Sequence, residues 1–103
     1  MDVPELRSWL ETDSSRTTGL THPGASESVG HESGRKIADI LARNPAKDPE
    51  KYTDEDLKHM RKVVAYCKRH IAGEQGAMLN EESRSHRSLK NWGHDAVKAA
   101  EEE

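Results

Sequence analysis

The 103-residue chain has no phenylalanine, one cysteine, two tryptophans and two tyrosines. With 32% hydrophobic against 34% charged residues, a large apolar core is excluded. A chain of this length is one domain with a thin core. The lone Cys67 cannot form an internal disulfide, unlike the paired cysteines of small secreted scaffolds. No apolar run nears the roughly 18 residues of a membrane span. Met1-Asp2-Val3-Pro4 lacks the basic-then-apolar start of a signal peptide. The expected location is therefore the cell interior: cytoplasm, nucleoid or nucleus, with no membrane role. Sustained alternation of β-branched residues is also missing, so no strand is expected.

Excess positive charge is absent too. The net charge is −3, which argues against a general nucleic-acid binder. Its distribution is uneven. Residues 1–56 carry 12 acidic and 7 basic side chains, residues 57–94 carry 3 and 8, and residues 95–103 carry 4 and 1. A basic block between acidic ends suits a local anionic target. It equally suits blocks that attract each other and keep a small fold soluble.

Helical periodicity organises what remains. A first helix is expected from Pro4 to about Glu11, with Leu6, Trp9 and Leu10 on one stripe. Residues 13–28, broken by Gly19, Pro23 and Gly24, read as a flexible polar loop. A second helix spans about Val29–Arg43, and Asn44-Pro45 ends it. Gly30 and Gly34 lie on its apolar side, where another helix or chain is expected to approach closely. A third helix starts after the cap Thr53, with Asp56 completing a capping box. Leu57, Met60, Val63, Val64, Cys67 and Ile71 form its stripe, and Gly73 ends it. A short helix over about Arg84–Lys90 is anchored by Leu89 and Trp92. Residues 96–103 form an acidic tail with little to pack on. The predicted architecture is all-α: three main helices plus a short C-terminal one in a domain over 1–95. The predicted core is Leu6, Trp9, Leu10, Ile37, Ile40, Leu41, Leu57, Met60, Val63, Val64, Cys67, Leu89 and Trp92.

Lys58, Arg61, Lys62, Lys68 and Arg69 cluster away from the stripe of the third helix, and Arg84, Arg87 and Lys90 follow. Long cationic side chains on a helix can neutralise phosphates and release counterions. A charged solvent face is also the ordinary state of an amphipathic helix. His31-Glu32-Ser33-Gly34-Arg35 is not the zinc motif, which needs a second histidine where Arg35 stands. Glu32 and Arg35 are expected to form a surface pair. Cys67, His70, His86 and His94 match no finger spacing, and Cys67 falls in an apolar stripe. No metal, cofactor or catalytic residue is expected.

Three blocks carry a family resemblance: Glu27 to Ile37, His59-Met60-Arg61-Lys62-Val63-Val64, and Ser88-Leu89-Lys90-Asn91-Trp92-Gly93-His94-Asp95. Together they resemble an uncharacterised family of small bacterial and fungal proteins, a domain of unknown function often labelled "DNA-binding protein". The resemblance implies one signature site from His31, Glu32, Ser33, Gly34 and Arg35 with Asn91, Trp92 and His94. His31, Arg35, Trp92 and His94 are expected to meet there. Val3-Pro4-Glu5-Leu6-Arg7-Ser8-Trp9-Leu10 is faintly similar to the first helix of the SAP module, a DNA binder. The leading expectation is a non-enzymatic protein associated with DNA, or another nucleic acid, through its basic helix face. The alternative is a protein-interaction or self-associating module, docking a partner or second copy through the glycine-bearing face of the second helix.

Overall fold

The computed structural model describes residues 1–73 and 76–101. Among them the chain is all-helical, without strands: α1 (Val3–Leu10), α2 (Asp13–Thr17), α3 (Val29–Arg43), α4 (Asp54–Gly73), α5 (Arg84–Asn91) and α6 (Ala96–Glu101). Short 3-10 turns at Pro49–Lys51 and Ala77–Leu79 flank α4.

Side-chain caps set most of the starts. Asp2 accepts the Glu5 N–H at 2.9 Å, Ser28 that of His31 at 3.1 Å, and Ser83 that of His86 at 3.1 Å. At α4 the capping box forms as expected. Thr53 Oγ1 accepts the Asp56 N–H at 3.1 Å, and Asp56 Oδ2 accepts the Thr53 N–H at 3.2 Å. Gly93, at φ +83°, ends α5 in the left-handed turn that its missing Cβ allows.

The core is small, as composition requires. Leu6, Leu10 and Ala38 form its centre, with Met1, Trp9 and Ile37 against them. Ile40, Leu89, Trp92 and Ala96 are also buried.

Two expectations about segments fail. The stretch 13–28 is not loop throughout. Thr12 caps α2 by accepting the Ser15 N–H at 3.1 Å, and Ser15 is fully buried. Of the expected tail over 96–103, residues 102 and 103 lie outside the described residues, and 96–101 are not free. Ala96 is buried, and Lys98 Nζ reaches both Glu5 carboxylate oxygens on α1 at 2.9 and 3.1 Å.

The expected core on α4 is also corrected. Of its stripe, Leu57, Met60, Val63, Cys67 and Ile71 are only half-buried, and Val64 is 51% exposed. The helix docks instead through Asp56, His59, Tyr66 and His70, spaced for one adjacent face. These side chains find specific partners on α3 and α5, so the polar face turns inward and the aliphatic one stays half open.

Candidate functional site

Asn91 is the point on which α1, α2 and α5 converge. It is 1% exposed. Its Oδ1 accepts the Trp9 indole N–H at 2.8 Å and the Ser15 hydroxyl, and its Nδ2 donates to the Ser15 carbonyl at 3.1 Å. All the side-chain partners of this buried amide lie in α1 and α2. The α3 glycines let α5 come this close. A Cβ on Gly34 would stand 2.5 Å from the Asn91 carbonyl oxygen and 2.6 Å from Leu10 Cδ2. A Cβ on Gly30 would stand 3.1 Å from Trp92 Nε1. Close approach to the glycine-bearing face is thus as expected, but the occupant is α5 of the same chain. It fills the Gly34 part of that face.

The remaining signature residues do not gather at one point. His31 and Arg35 converge on Glu27. Arg35 donates to its two carboxylate oxygens at 2.5 and 2.8 Å, and His31 Nδ1 meets it from the helix. The Arg35 guanidinium, then His31, hold the Glu27 carboxyl down to a pKa of about 2. His31 Nε2 lies 2.7 Å from the Leu10 carbonyl, which can only accept, so Nε2 is the donor of that contact. Glu32 pairs with Lys36 at 3.3 Å rather than with Arg35. The Ser33 hydroxyl lies 3.0 Å from His59 Nε2. His94 lies apart, beside Met1, Asp2 and Asp95. The meeting of His31, Arg35, Trp92 and His94 is therefore corrected. The backbones of the two signature segments touch, and their polar side chains leave in three directions.

Trp92 joins an aromatic column on α4. Tyr66 stacks on it at 4.2 Å and 11°, His59 lies at 6.4 Å and 14°, and Tyr66 also stacks on His70 at 5.4 Å. Burial pushes the imidazoles of His59 and His94 below their ordinary pKa. Burial raises the Cys67 thiol, which makes it a poor nucleophile at neutral pH.

The predicted cationic positions divide into two groups. Lys58, Arg61, Lys62, Lys68 and Arg69 are exposed on α4. On α5, Arg84 is exposed and Arg87 half-buried, but Lys90 is engaged within the molecule, its Nζ 4.2 Å above the Trp9 ring. Lys90 is therefore removed from the cationic face. Sequence reasoning missed Glu27, Ser15 and Tyr66 as organisers. A signal for Glu27 was present: it stands four residues before His31 and eight before Arg35, on the side of the helix start they share.

Among the described residues, no three His, Cys, Asp or Glu side chains group as metal ligands, and no helix is long and apolar enough to cross a membrane.

These features define a small all-helical protein locked by a buried asparagine, with a helix on its surface that carries five exposed cations. The chain belongs to the DUF3140 family, described as a protein of unknown function, whose model matches residues 1–90. The match stops one residue before Asn91 and brings neither a DNA-binding assignment nor a SAP module. Neither the curated proteins nor the solved structures hold a significant match to the chain.

Proposed function

We propose that the protein associates with DNA, or another nucleic acid, inside the cell and without catalysing a reaction on it, using phosphate contacts from α4. The observation that carries this reading is a concentration of cations: Arg16, Lys47, Lys51, Arg84 and Arg87 also lack an ion pair among the described residues, but only α4 gathers five exposed cations on one helix. Arg7, Arg35, Lys36, Arg43 and Lys98 each meet a carboxylate. Lys58, Arg61, Lys62, Lys68 and Arg69 meet none among the described residues. Five cations on one helix, without an ion pair among the described residues, lose none of the ion pairs seen there when phosphate arrives. Contacts of this kind position a helix on the backbone and read little sequence.

The test is anisotropy of a short labelled duplex across a salt series. Micromolar affinity that falls steeply with salt is expected. A variant carrying Lys58→Glu, Arg61→Glu and Lys62→Glu should lose it while melting as the parent does. A folded triple variant with parental affinity sinks the reading.

The half-open stripe of α4 favours a second reading, self-association. Leu57, Met60 and Val64 line a shallow apolar groove edged by Arg61 and Lys68. An antiparallel second copy would set the exposed Asp54 and Glu55 of one α4 against Lys68 and Arg69 of the other. Sedimentation should then show a concentration-dependent dimer that Val64→Glu dissolves. A monomer at all concentrations removes this reading.

A further inference from the structure

A cleft of about 540 Å³ opens between the start of α3, the middle of α4 and the end of α5, with the 18–22 loop at its rim. That is the size of a small-molecule site. Leu20, Val29, Ala65 and Tyr66 give it apolar walls, and Leu20 is left 70% exposed there.

Two polar groups on the α5 wall are unspent. Trp92 is 6% exposed, and its indole N–H has no acceptor among the described residues. Ser88 is 9% exposed, and its hydroxyl has no partner among them either. Neither polar atom is sealed in the interior, and both residues line the cleft. Gly30 keeps the approach to the indole open, since a Cβ there would stand 3.1 Å from Nε1. A poorly paired donor in an apolar wall gains from a ligand that supplies an acceptor. At the mouth stand Lys62 and Arg69, i and i+7 on α4, both exposed and without ion pairs among the described residues.

We propose that this cleft binds a nucleotide. Its heterocycle lies against the apolar walls, its ring edge meets the Trp92 N–H and the Ser88 hydroxyl, and its phosphate is held by Lys62 and Arg69. The inference rests on the nucleic-acid reading for those two cations and narrows it to an unpaired nucleotide. Bases in a duplex have their pairing edges engaged. A free nucleotide or an unpaired base in a single strand can present them.

The probes are adenosine monophosphate and a short single-stranded oligonucleotide, titrated into the ¹⁵N-labelled protein. The two indole N–H signals separate the outcomes, because Trp9 is already bonded to Asn91 and serves as the internal control. Saturable movement of the Trp92 signal alone is expected. Ala65→Phe fills the cleft from an exposed position and keeps every charge. It should weaken the mononucleotide by about tenfold or more, a change of roughly 1.4 kcal/mol. Ser88→Ala should weaken it in the same direction. Response to both probes identifies single strands as the source, and response to the mononucleotide alone identifies the free nucleotide. A Trp92 signal unmoved by either probe overturns the proposal. So does a shift reproduced by inorganic phosphate alone, or parental affinity in Ala65→Phe. Duplex binding with a silent Trp92 removes this inference alone. A responsive Trp92 without duplex binding removes the broader reading and leaves the cleft.

Discussion

The indole of Trp9 donates to the side chain of Asn91 at 2.8 Å, across 82 residues of chain. Ser15 shares the same acceptor oxygen. One amide thereby fixes α1, α2 and α5 relative to one another. Asn91→Ala should lower stability by about 2–4 kcal/mol, because it leaves a buried hydroxyl and an indole N–H unpaired. Trp9→Phe removes a donor without leaving a bare acceptor, since Ser15 still supplies one, and should cost less. Chemical denaturation of the two variants checks the order.

The glycines of α3 and α4 should rank by what a methyl would strike. Gly34→Ala collides with the Asn91 backbone and Leu10. It should destabilise by about 2 kcal/mol or more, despite a gain of about 1 kcal/mol in helix propensity. Gly30→Ala meets the Trp92 indole edge and should cost less. At Gly73 a methyl would find nothing within 4 Å, so Gly73→Ala should be neutral or slightly stabilising. Melting temperatures that put Gly73→Ala below Gly34→Ala would contradict the packing of α3 on α5.

Aliphatic truncations should separate α4 from the core. Leu6→Ala and Leu89→Ala, both fully buried, should cost about 2–5 kcal/mol. Val64→Ala, half exposed, should stay below about 1 kcal/mol in the monomer. A Val64 penalty equal to that of Leu6 in dilute protein would mean that the stripe is buried after all.

Acid should destabilise the fold in two stages. His59 and His94 have folded pKa values below their ordinary 6.5, mainly through burial. Their neutral forms are favoured, so the unfolded chain binds more protons and stability falls as pH drops below about 6.5. Glu27 is held at about 2 against an ordinary 4.5 by Arg35 and His31. Its contribution is present above about 4.5 and is lost as pH falls toward 2. Arg35 is more than half exposed, so screening limits this contribution to about 1–2 kcal/mol. Urea unfolding from pH 7 to 2 should show the first stage shrink in His59→Gln and the second in Glu27→Gln.

Helix positions were legible in the sequence because their signals are local. Thr53 caps within three residues, Pro45 ends α3 and Gly93 ends α5 through their own backbone, and the stripes of α1 and α3 repeat at helical spacing. The cationic positions on α4 were legible for the same reason. Composition likewise dictated a thin core and an all-helical class. What decorates each face afterwards was not legible. The aliphatic stripe of α4 is the more hydrophobic one, yet His59, Tyr66 and His70 turn inward because Ser33, Trp92 and Ser85 wait opposite. Partners 15 to 26 positions away leave no local trace. The five-residue α2 escaped for a related reason, since its buried Ser15 is polar and its partner is 76 residues distant. The sequence by itself determined the four longer helices, α1, α3, α4 and α5, and the cluster of cations on α4. The tertiary structure decided that Asn91 is a lock, that Lys90 is spent on Trp9, and that Trp92 and Ser88 carry polar groups beside a cleft that find no partner among the described residues. Those outcomes depend on which helices meet, a long-range choice fixed by shape and by the satisfaction of buried polar groups.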